Sequence, residues 1–159
     1  MKRVIILSIC IILSLFSFSQ KPKQIKLIDL YGDKVEVKLY NNTYIITFST
    51  QSCHNCYLET ARFLEKMNYF SDTNIHIIAV ISDFSDNIES AAIRKYHYNN
   101  VKDYFPKISQ VYYNSKIKGD KAKLLGYKFS VRSSPKIISV TNNKIEILDY
   151  DVFIELNKQ

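Results

Sequence analysis

Glycine, proline and tryptophan are scarce in this sequence of 159 residues, which contains three glycines, three prolines and no tryptophan. There are too few glycines and prolines for a linker, and no internal repeat or low-complexity tract divides the chain. Hydrophobic residues account for 47% of the sequence and charged residues for 23%, which is enough for an ordinary core and unlike a disordered segment. We therefore expect one globular domain.

Side chains that bind metals are also few. A structural zinc site needs four ligands, usually two cysteine pairs or one pair with two suitably spaced histidines. The histidines are His54, His76 and His97; His76 falls in an apolar strand pattern and His97 near a predicted helix end, where packed or solvated histidines are common. Covalent haem attachment requires a histidine directly after the second cysteine of a pair, and that residue is Tyr57. The sequence therefore predicts no metal and no haem.

Long apolar runs are limited to one, residues 4–18, which contains Cys10 and follows two basic residues. Crossing a bilayer takes roughly 20 apolar residues, so this run is short for a membrane span. Ser17 and Ser19 suit a signal peptidase that cuts before Gln20. We predict that residues 1–19 are a secretory signal peptide. An uncleaved anchor in the inner membrane is the alternative, because a helix can adapt to a modest length mismatch.

Removing that segment leaves residues 20–159 as an exported, periplasmic domain with two cysteines, Cys53 and Cys56. In an oxidising compartment two cysteines must form a disulfide, hold a metal or be kept reduced for work. A purely structural disulfide is a weak explanation, because a bridge across two intervening residues constrains the unfolded chain little. A redox role explains the pair better.

Acidic residues are outnumbered, with 15 against 22 basic residues and a net charge of +7. Loss of Lys2 and Arg3 with the signal peptide leaves 20 basic residues against 15, a net charge of +5. Five lysines cluster in one stretch, at Lys116, Lys118, Lys121, Lys123 and Lys128. Export argues against a nucleic-acid partner. We interpret the cluster as a solvated face, with an anionic partner or lipid surface as the alternative.

Hydrophobic periodicity predicts strands that alternate with helices. The predicted strands are residues 25–28, 35–39, 44–48, 75–81, 136–140 and 144–148. The predicted helices are residues 53–70, 88–98 and 151–158. The buried face of the first helix is predicted from its spacing of three, and consists of Leu58, Ala61, Leu64 and Met67.

This order of elements predicts an α/β fold with a mixed central sheet. The first two strands flank a turn at Gly32 and should pair as a hairpin, as should the last two around Asn142 and Asn143. Strands joined through helices should pair in parallel by right-handed crossovers, with helices on both faces of the sheet. Residues 101–123 have a mixed period and contain Pro106 and Gly119, so their structure is not predicted.

The two cysteines stand where a buried strand ends and a helix begins, in the sequence Cys53-His54-Asn55-Cys56. Unpaired N–H groups and the helix dipole at that end favour negative charge, which should lower the pKa of the Cys53 thiol and favour the nucleophilic thiolate. Cys56 is then placed to resolve a mixed disulfide, without any cofactor. His54 is a candidate for redox tuning, since a protonated imidazole stabilises a nearby thiolate; a solvent-facing spacer is its alternative role.

A strand, the segment Ser52 to Cys56, a helix and a late Ser133-Ser134-Pro135 before another strand together resemble the thioredoxin superfamily. The N-terminal hairpin and the insert between residues 81 and 126 resemble its exported TlpA-like and ResA-like branch. The resemblance covers nearly the whole chain after residue 19. It implies a thioredoxin-like three-layer α/β/α sandwich with an N-terminal β-hairpin and a mixed central sheet.

The resemblance also implies roles for residues far from the cysteines. Pro135 should follow a cis peptide bond and face the disulfide, and the backbone at Ser134 should pair with an extended substrate segment. The implied activity is thiol-disulfide exchange, with reduction of disulfides in exported proteins favoured over their formation. A membrane thiol carrier is the implied electron donor.

Three features depart from the family pattern. A carboxylate often found six residues before the first cysteine is Thr47, and a tryptophan common directly before that cysteine is Ser52. The His-Asn pair between the cysteines differs from the family's familiar dipeptides. A peroxiredoxin-like peroxidase is one alternative, since Thr50 lies three residues before Cys53, although the expected upstream proline is Ile46. A non-enzymatic binding module with the same fold is the other.

Overall fold

The computed structural model describes residues 23–50, 52, 54–66, 74–82, 90–118, 121–130, 135–141 and 144–148. Its strands are β1 (Lys23–Ile28), β2 (Lys34–Leu39), β3 (Thr43–Ser49), β4 (His76–Ser82), β5 (Gln110–Asn114), β6 (Ile117–Lys118), β7 (Lys121–Leu124), β8 (Tyr127–Ser130), β9 (Lys136–Thr141) and β10 (Lys144–Leu148). Its helices are α1 (His54–Lys66) and α2 (Ala91–Tyr104). The six predicted strands match β1 to β4, β9 and β10 within two residues at each end.

A mixed sheet of seven strands, in the order β10-β9-β3-β4-β5-β1-β2, forms the centre of the described residues. β3 pairs in parallel with β4, and β4 with β5, while β9 runs antiparallel to β3. β1 and β2 form the predicted hairpin, and β9 and β10 form the second one. The predicted α/β fold with a mixed central sheet and an N-terminal hairpin is therefore confirmed.

Each face of this sheet carries a separate apolar core. Phe63 and Leu64 of α1 and Val101 of α2 share one core with alternate residues of β3, β4 and β5. The other face is covered by a second sheet, in the order β6-β7-β8, whose inward residues include Leu124 and Phe129. Both described helices lie on the same face, because β3, β4 and β5 follow one another in the same direction and right-handed crossovers then place their helices together.

The expectation of helices on both faces is therefore not met within the described residues, where the small sheet forms the third layer. The short helix predicted for residues 151–158 lies outside those residues, as do residues 67–70 at the end of the first predicted helix. The predicted signal segment, residues 1–19, also lies outside them. No helix in the described part of the chain is long and apolar enough to cross a membrane.

The face that α1 buries differs from the predicted one. The residues buried on this helix are Tyr57, Thr60, Phe63 and Leu64. Leu58 and Ala61 are only partly buried. The stripe is displaced because Tyr57 packs against Phe48 of β3, and because the Thr60 hydroxyl donates to the carbonyl of Cys56 at 2.7 Å, which makes its burial inexpensive.

Residues 101–123, which the periodicity does not resolve, complete α2 and build β5, β6 and the start of β7. α2 runs six residues past its predicted end and stops just before Phe105, as expected for a helix followed by Pro106. Leu125 and Gly126 join β7 to β8 with φ angles of 50° and 89°, the left-handed pair that a tight two-residue hairpin requires.

Candidate functional site

The candidate site lies at the carboxyl end of β3, where the chain turns toward α1. Ser49 and Ser52 close this turn with two hydrogen bonds: the Ser52 N–H donates to the Ser49 carbonyl at 2.9 Å, and the Ser49 N–H donates to the Ser52 hydroxyl at 3.0 Å. The Thr50 N–H donates to the carbonyl of Ser82, the last residue of β4, at 3.2 Å. These bonds fix the direction from which the chain enters the helix. Sequence patterns indicate a loop here but do not predict the two hydrogen bonds between Ser49 and Ser52.

Cys56 occupies the first turn of α1 and is partly exposed, and Cys53 lies outside the described residues. The helix begins at His54, directly after Cys53. The described helix therefore starts within one residue of its predicted start. The unpaired N–H groups of a first turn favour a nearby anion, so the local backbone suits a thiolate.

His54 is exposed at the start of α1 and contacts the last residue of α2. Its Nδ1 shares a hydrogen bond with the hydroxyl of Tyr104, and the two rings meet edge to face with centroids 5.2 Å apart. Tyr104 in turn stacks on Tyr57 at 5.4 Å, and Tyr57 stacks on Phe48 at 4.7 Å. An aromatic column made of Phe48, Tyr57, Tyr104 and His54 therefore runs from β3 to the surface beside the cysteines.

Tyr57 follows Cys56 in the chain and is the buried centre of this column. Its side chain is 3% exposed, and no described atom forms a hydrogen bond with its hydroxyl. Burial is the main cause that raises the pKa of this hydroxyl, with smaller contributions from neighbours that include Tyr96 and Cys56. The hydroxyl therefore stays neutral throughout the physiological range.

Pro135 is buried directly before β9, and the sheet register brings it to the same end of the sheet as Cys56. Lys136 pairs with Thr47, so Pro135 continues the register toward the carboxyl end of β3. Ser134 lies outside the described residues, and with it the peptide bond predicted to be cis. The segments at Thr47 and Lys136, 89 residues apart, thus meet at one edge because β3 and β9 are neighbouring antiparallel strands.

Thr47 takes the position at which a carboxylate is common in the resembled family. It is 3% exposed, and its hydroxyl both accepts from the Lys136 N–H and donates to the Lys136 carbonyl, each at 3.2 Å. The hydroxyl therefore strengthens the pairing of β3 with β9. No Asp or Glu is among the buried polar residues of the described chain. Among the described residues, therefore, no buried carboxylate is present to receive a proton from Cys56.

A row of buried polar residues crosses the same edge of the sheet and was not anticipated from the sequence. Ser49, Ser82 and Asn114 end β3, β4 and β5, are paired in register, and are all nearly inaccessible. The Asn114 amide donates to the Ser82 hydroxyl at 3.5 Å and to the Lys123 carbonyl at 3.3 Å. The row ties the small sheet to the central one. The sequence signal that could have revealed this row is the polar residue that ends each of the three apolar runs.

The other two histidines, His76 and His97, contact neighbouring side chains of the fold. His76 begins β4, where its Nε2 shares a hydrogen bond with the Ser109 hydroxyl at 3.1 Å and burial lowers its pKa. His97 is buried on α2 and lies beside the ring of Tyr96. Within the described ranges, no three His, Cys, Asp or Glu side chains are grouped so that they could hold a metal ion.

No protein-family model matches the chain, and no curated protein matches its sequence. Solved structures do resemble it. A conserved protein of unknown function from Bacteroides fragilis is 15% identical, with 87% of this chain and 96% of that one covered and a TM-score of 0.49. A putative protein disulfide isomerase from Bacteroides thetaiotaomicron is 12% identical, with 87% and 84% covered and a TM-score of 0.46. A thiol-disulfide oxidoreductase from Bacteroides fragilis is 10% identical, with 87% and 98% covered and a TM-score of 0.46.

Identities and scores this low establish no common function, and the strand order of the chain itself decides the fold. A parallel β3-α1-β4 unit is extended on its other side by the antiparallel hairpin of β9 and β10, with a Cys-x-x-Cys segment where β3 enters α1. The fold is thioredoxin-like. Within this thioredoxin-like domain, α2, β5, β6 and β7 lie between residues 81 and 126, where the sequence predicts an insert, but they do not distinguish the TlpA-like and ResA-like branch from others.

Proposed function

We propose that this thioredoxin-like domain is a thiol-disulfide oxidoreductase that works through Cys53 and Cys56, and that it reduces disulfides in exported proteins. The observation that carries the proposal is that Cys56, in the first turn of α1, and Pro135, directly before β9, lie at the same edge of the sheet. Sheets of this kind bind ligands at the carboxyl ends of their parallel strands, which is where these residues lie. The partly exposed Cys56 is within reach of a substrate at that edge.

The proposed reaction has two exchange steps. The Cys53 thiolate attacks one sulfur of a substrate disulfide, which forms a mixed disulfide and releases the other substrate sulfur as a thiolate. The Cys56 sulfur then attacks Cys53, which releases the second substrate thiolate and leaves a Cys53–Cys56 disulfide. The substrate gains two electrons and two protons, and the cysteine pair loses them. A second dithiol, proposed to be a membrane thiol carrier, returns them.

The surroundings of the pair support this chemistry at two points. The helix N-terminus favours the Cys53 thiolate, and the first substrate thiolate to leave can accept the Cys56 proton. Pro135 and the backbone at Ser134 would hold an extended segment of the client by strand addition. We place this activity in the periplasm, after cleavage or membrane anchoring of residues 1–19.

Trapping the mixed disulfide tests the proposal. A Cys56→Ser variant should accumulate a covalent adduct with a disulfide-bonded protein substrate, because the resolving sulfur is absent, whereas Cys53→Ser should form none. Cys10→Ser is the matched control, since that cysteine lies in the predicted signal segment, and it should leave activity unchanged. If Cys53→Ser kept full activity in the cell or in a binding assay, the result would instead support a binding module. Consumption of peroxide without disulfide reduction would support a peroxidase.

The reduction potential of the pair tests the direction of the reaction. Thiol trapping across dithiol buffers should give a value near that of thioredoxin, about −270 mV, if the pair is a reductase. A value of about −120 mV, as in a strong oxidant, would assign disulfide formation instead.

A further inference from the structure

Tyr104 connects the site to the insert. It is the last residue of α2, and its hydroxyl forms the hydrogen bond with His54 Nδ1 across 50 residues of sequence. The two rings are inclined by 73°, with their centroids 5.2 Å apart. His54 itself lies two residues before Cys56.

The position of the Tyr104 hydroxyl is set by the core. The Tyr104 ring stacks on Tyr57 with an angle of 12°, and Tyr57 is buried and stacks on Phe48 of β3 with an angle of 26°. Phe105, the next residue, is fully buried and packs against Phe48 at 5.6 Å. An exposed imidazole is therefore bonded to a hydroxyl whose ring stacks on a buried aromatic residue, Tyr57.

The chemistry of the pair selects one form of the imidazole. A phenol is a stronger acid than a neutral imidazole N–H, and an imidazole nitrogen is the stronger base, so the Tyr104 hydroxyl donates to Nδ1 of neutral His54. The ring then carries its proton on Nε2. When His54 is protonated, Nδ1–H donates to the Tyr104 oxygen and Nε2 again carries a proton. The same contact therefore leaves an Nε2–H donor in both states.

We propose that Tyr104 is a positioning residue for the Cys53–Cys56 pair, which holds His54 in the tautomer whose Nε2–H stabilises a thiolate at the site. This inference rests on the proposed redox function. It adds that a residue of α2, Tyr104, influences the redox equilibrium of the cysteine pair. Its consequence concerns the balance between the reduced pair and the disulfide. A stabilised thiolate favours the reduced pair, so loss of the Tyr104 hydroxyl should favour the disulfide.

A double-mutant cycle on the redox equilibrium tests the proposal. Tyr104→Phe keeps the ring and removes the hydroxyl, and should shift the equilibrium constant with a dithiol buffer at neutral pH about threefold toward the disulfide, or about 14 mV. His54→Ala should shift it in the same direction by about tenfold, or about 30 mV. Adding Tyr104→Phe to His54→Ala should then change nothing, because the hydroxyl acts through the imidazole.

Tyr98→Phe is the matched control. Tyr98 is a partly buried tyrosine on the same helix that packs against the same core, and removal of its hydroxyl should leave the equilibrium constant unchanged. Nitrogen NMR of the His54 ring gives an independent readout: the Nε2–H tautomer should dominate the neutral ring in the unaltered protein, and Tyr104→Phe should restore a mixture. A purely structural role for Tyr104 would not produce that change.

The outcomes separate the two proposals. If the unaltered chain cycles but Tyr104→Phe leaves both the equilibrium constant and the tautomer unchanged, the role of Tyr104 is overturned and the redox function stands. An equal shift from Tyr104→Phe with and without His54 would also overturn it, since the hydroxyl would then not act through the imidazole. If the unaltered chain fails to cycle, the redox function is overturned and the role of Tyr104 falls with it.

Discussion

Tyr57 and Tyr113 are buried tyrosines in the same core that differ in what their hydroxyls do. The Tyr113 hydroxyl donates to the backbone carbonyl of Arg94, whereas no described atom forms a hydrogen bond with the Tyr57 hydroxyl. A buried hydroxyl without a partner costs about 1–3 kcal/mol, and a satisfied one contributes about 1 kcal/mol. The same substitution should therefore have opposite effects at the two positions.

We expect Tyr113→Phe to lower the free energy of unfolding by about 1 kcal/mol, because the Arg94 carbonyl loses its donor. Tyr57→Phe should leave it unchanged or raise it by up to about 1 kcal/mol, because only an unpaired hydroxyl is removed. Urea unfolding of both variants at neutral pH measures the difference. A clear loss of stability in Tyr57→Phe would mean that its hydroxyl has a partner in solution.

The same two residues predict a weakness at high pH. Burial raises the pKa of both hydroxyls above the value near 10 that applies to an unfolded chain. Above about pH 10 the unfolded chain releases these protons while the folded one keeps them, so stability that is complete below pH 10 is lost as the pH rises. Tyr57→Phe should make this loss shallower, which urea unfolding from about pH 9 to about pH 12 would detect. An unchanged slope would contradict the assignment.

At the scale of elements, the small sheet and the N-terminal hairpin arrange their charges in opposite ways. In the hairpin Lys26 faces Glu36, and their side chains approach to 3.3 Å. In the small sheet Lys123 faces Lys128 directly across β7 and β8, with both side chains exposed. Opposite charges across strands stabilise a sheet and like charges destabilise it. The lysine cluster predicted as a solvated face therefore weakens its own sheet.

Charge reversal at one lysine of each pair should show this difference. Lys123→Glu should stabilise the domain by about 0.5 kcal/mol, because it converts a repulsive pair into an attractive one. Lys26→Glu should destabilise it by a similar amount, because it places two glutamates opposite each other. Thermal unfolding at low and high salt measures both shifts, which should shrink together as salt rises. Shifts of the same sign would indicate that cross-strand pairing is not their cause.

At the scale of the whole molecule, Arg94 joins the N-terminal hairpin to α2. It is 5% exposed, and its guanidinium donates to the carbonyls of Leu30 at 2.9 Å and Tyr31 at 3.0 Å in the hairpin turn. The Asp29 carboxylate shapes that turn by accepting three backbone N–H groups at 2.9 Å each. The hairpin, α2 and, through Tyr104, the start of α1 are therefore connected in one chain of contacts.

Two glycines with positive φ test this connection. Gly32 has a φ of 102°, and a Cβ there would lie 2.8 Å from Arg94 Nη2, whereas Gly126 has a φ of 89° with open space around it. Gly32→Ala should cost about 3 kcal/mol and loosen the hairpin, and Gly126→Ala about 1 kcal/mol from backbone strain alone. Urea unfolding gives the two costs, and hydrogen exchange of β1 and β2 should rise only in Gly32→Ala. Equal costs would show that the turn does not rest on Arg94.

Short-range patterns were enough to predict the hairpins, the buried strands and the place of Cys56 in the first turn of α1. Alternation along β1 and β2, and apolar runs in β3 and β4, report burial of each strand directly because side chains alternate between two faces. The start of α1 was likewise visible, since the chain lacks Gly and Pro from residue 53 to residue 70. Of the predicted site residues, Cys56, His54 and Pro135 lie where the sequence places them along the elements. The roles of all five predicted site residues stay predictions, and Cys53 and Ser134 lie outside the described residues.

Other features depend on contacts between distant segments and left no local pattern. The buried face of α1 is determined by the packing of Tyr57 against Phe48 and by a hydrogen bond from the Thr60 hydroxyl to the Cys56 carbonyl. The strand β5 can be recognised only from its pairing with β4. This pairing buries the polar Asn114 beside Ser82. The meeting of His54 with Tyr104 requires two crossovers of the same hand. Periodicity records which side of an element is apolar, and the register and packing of whole elements determine which side chains meet.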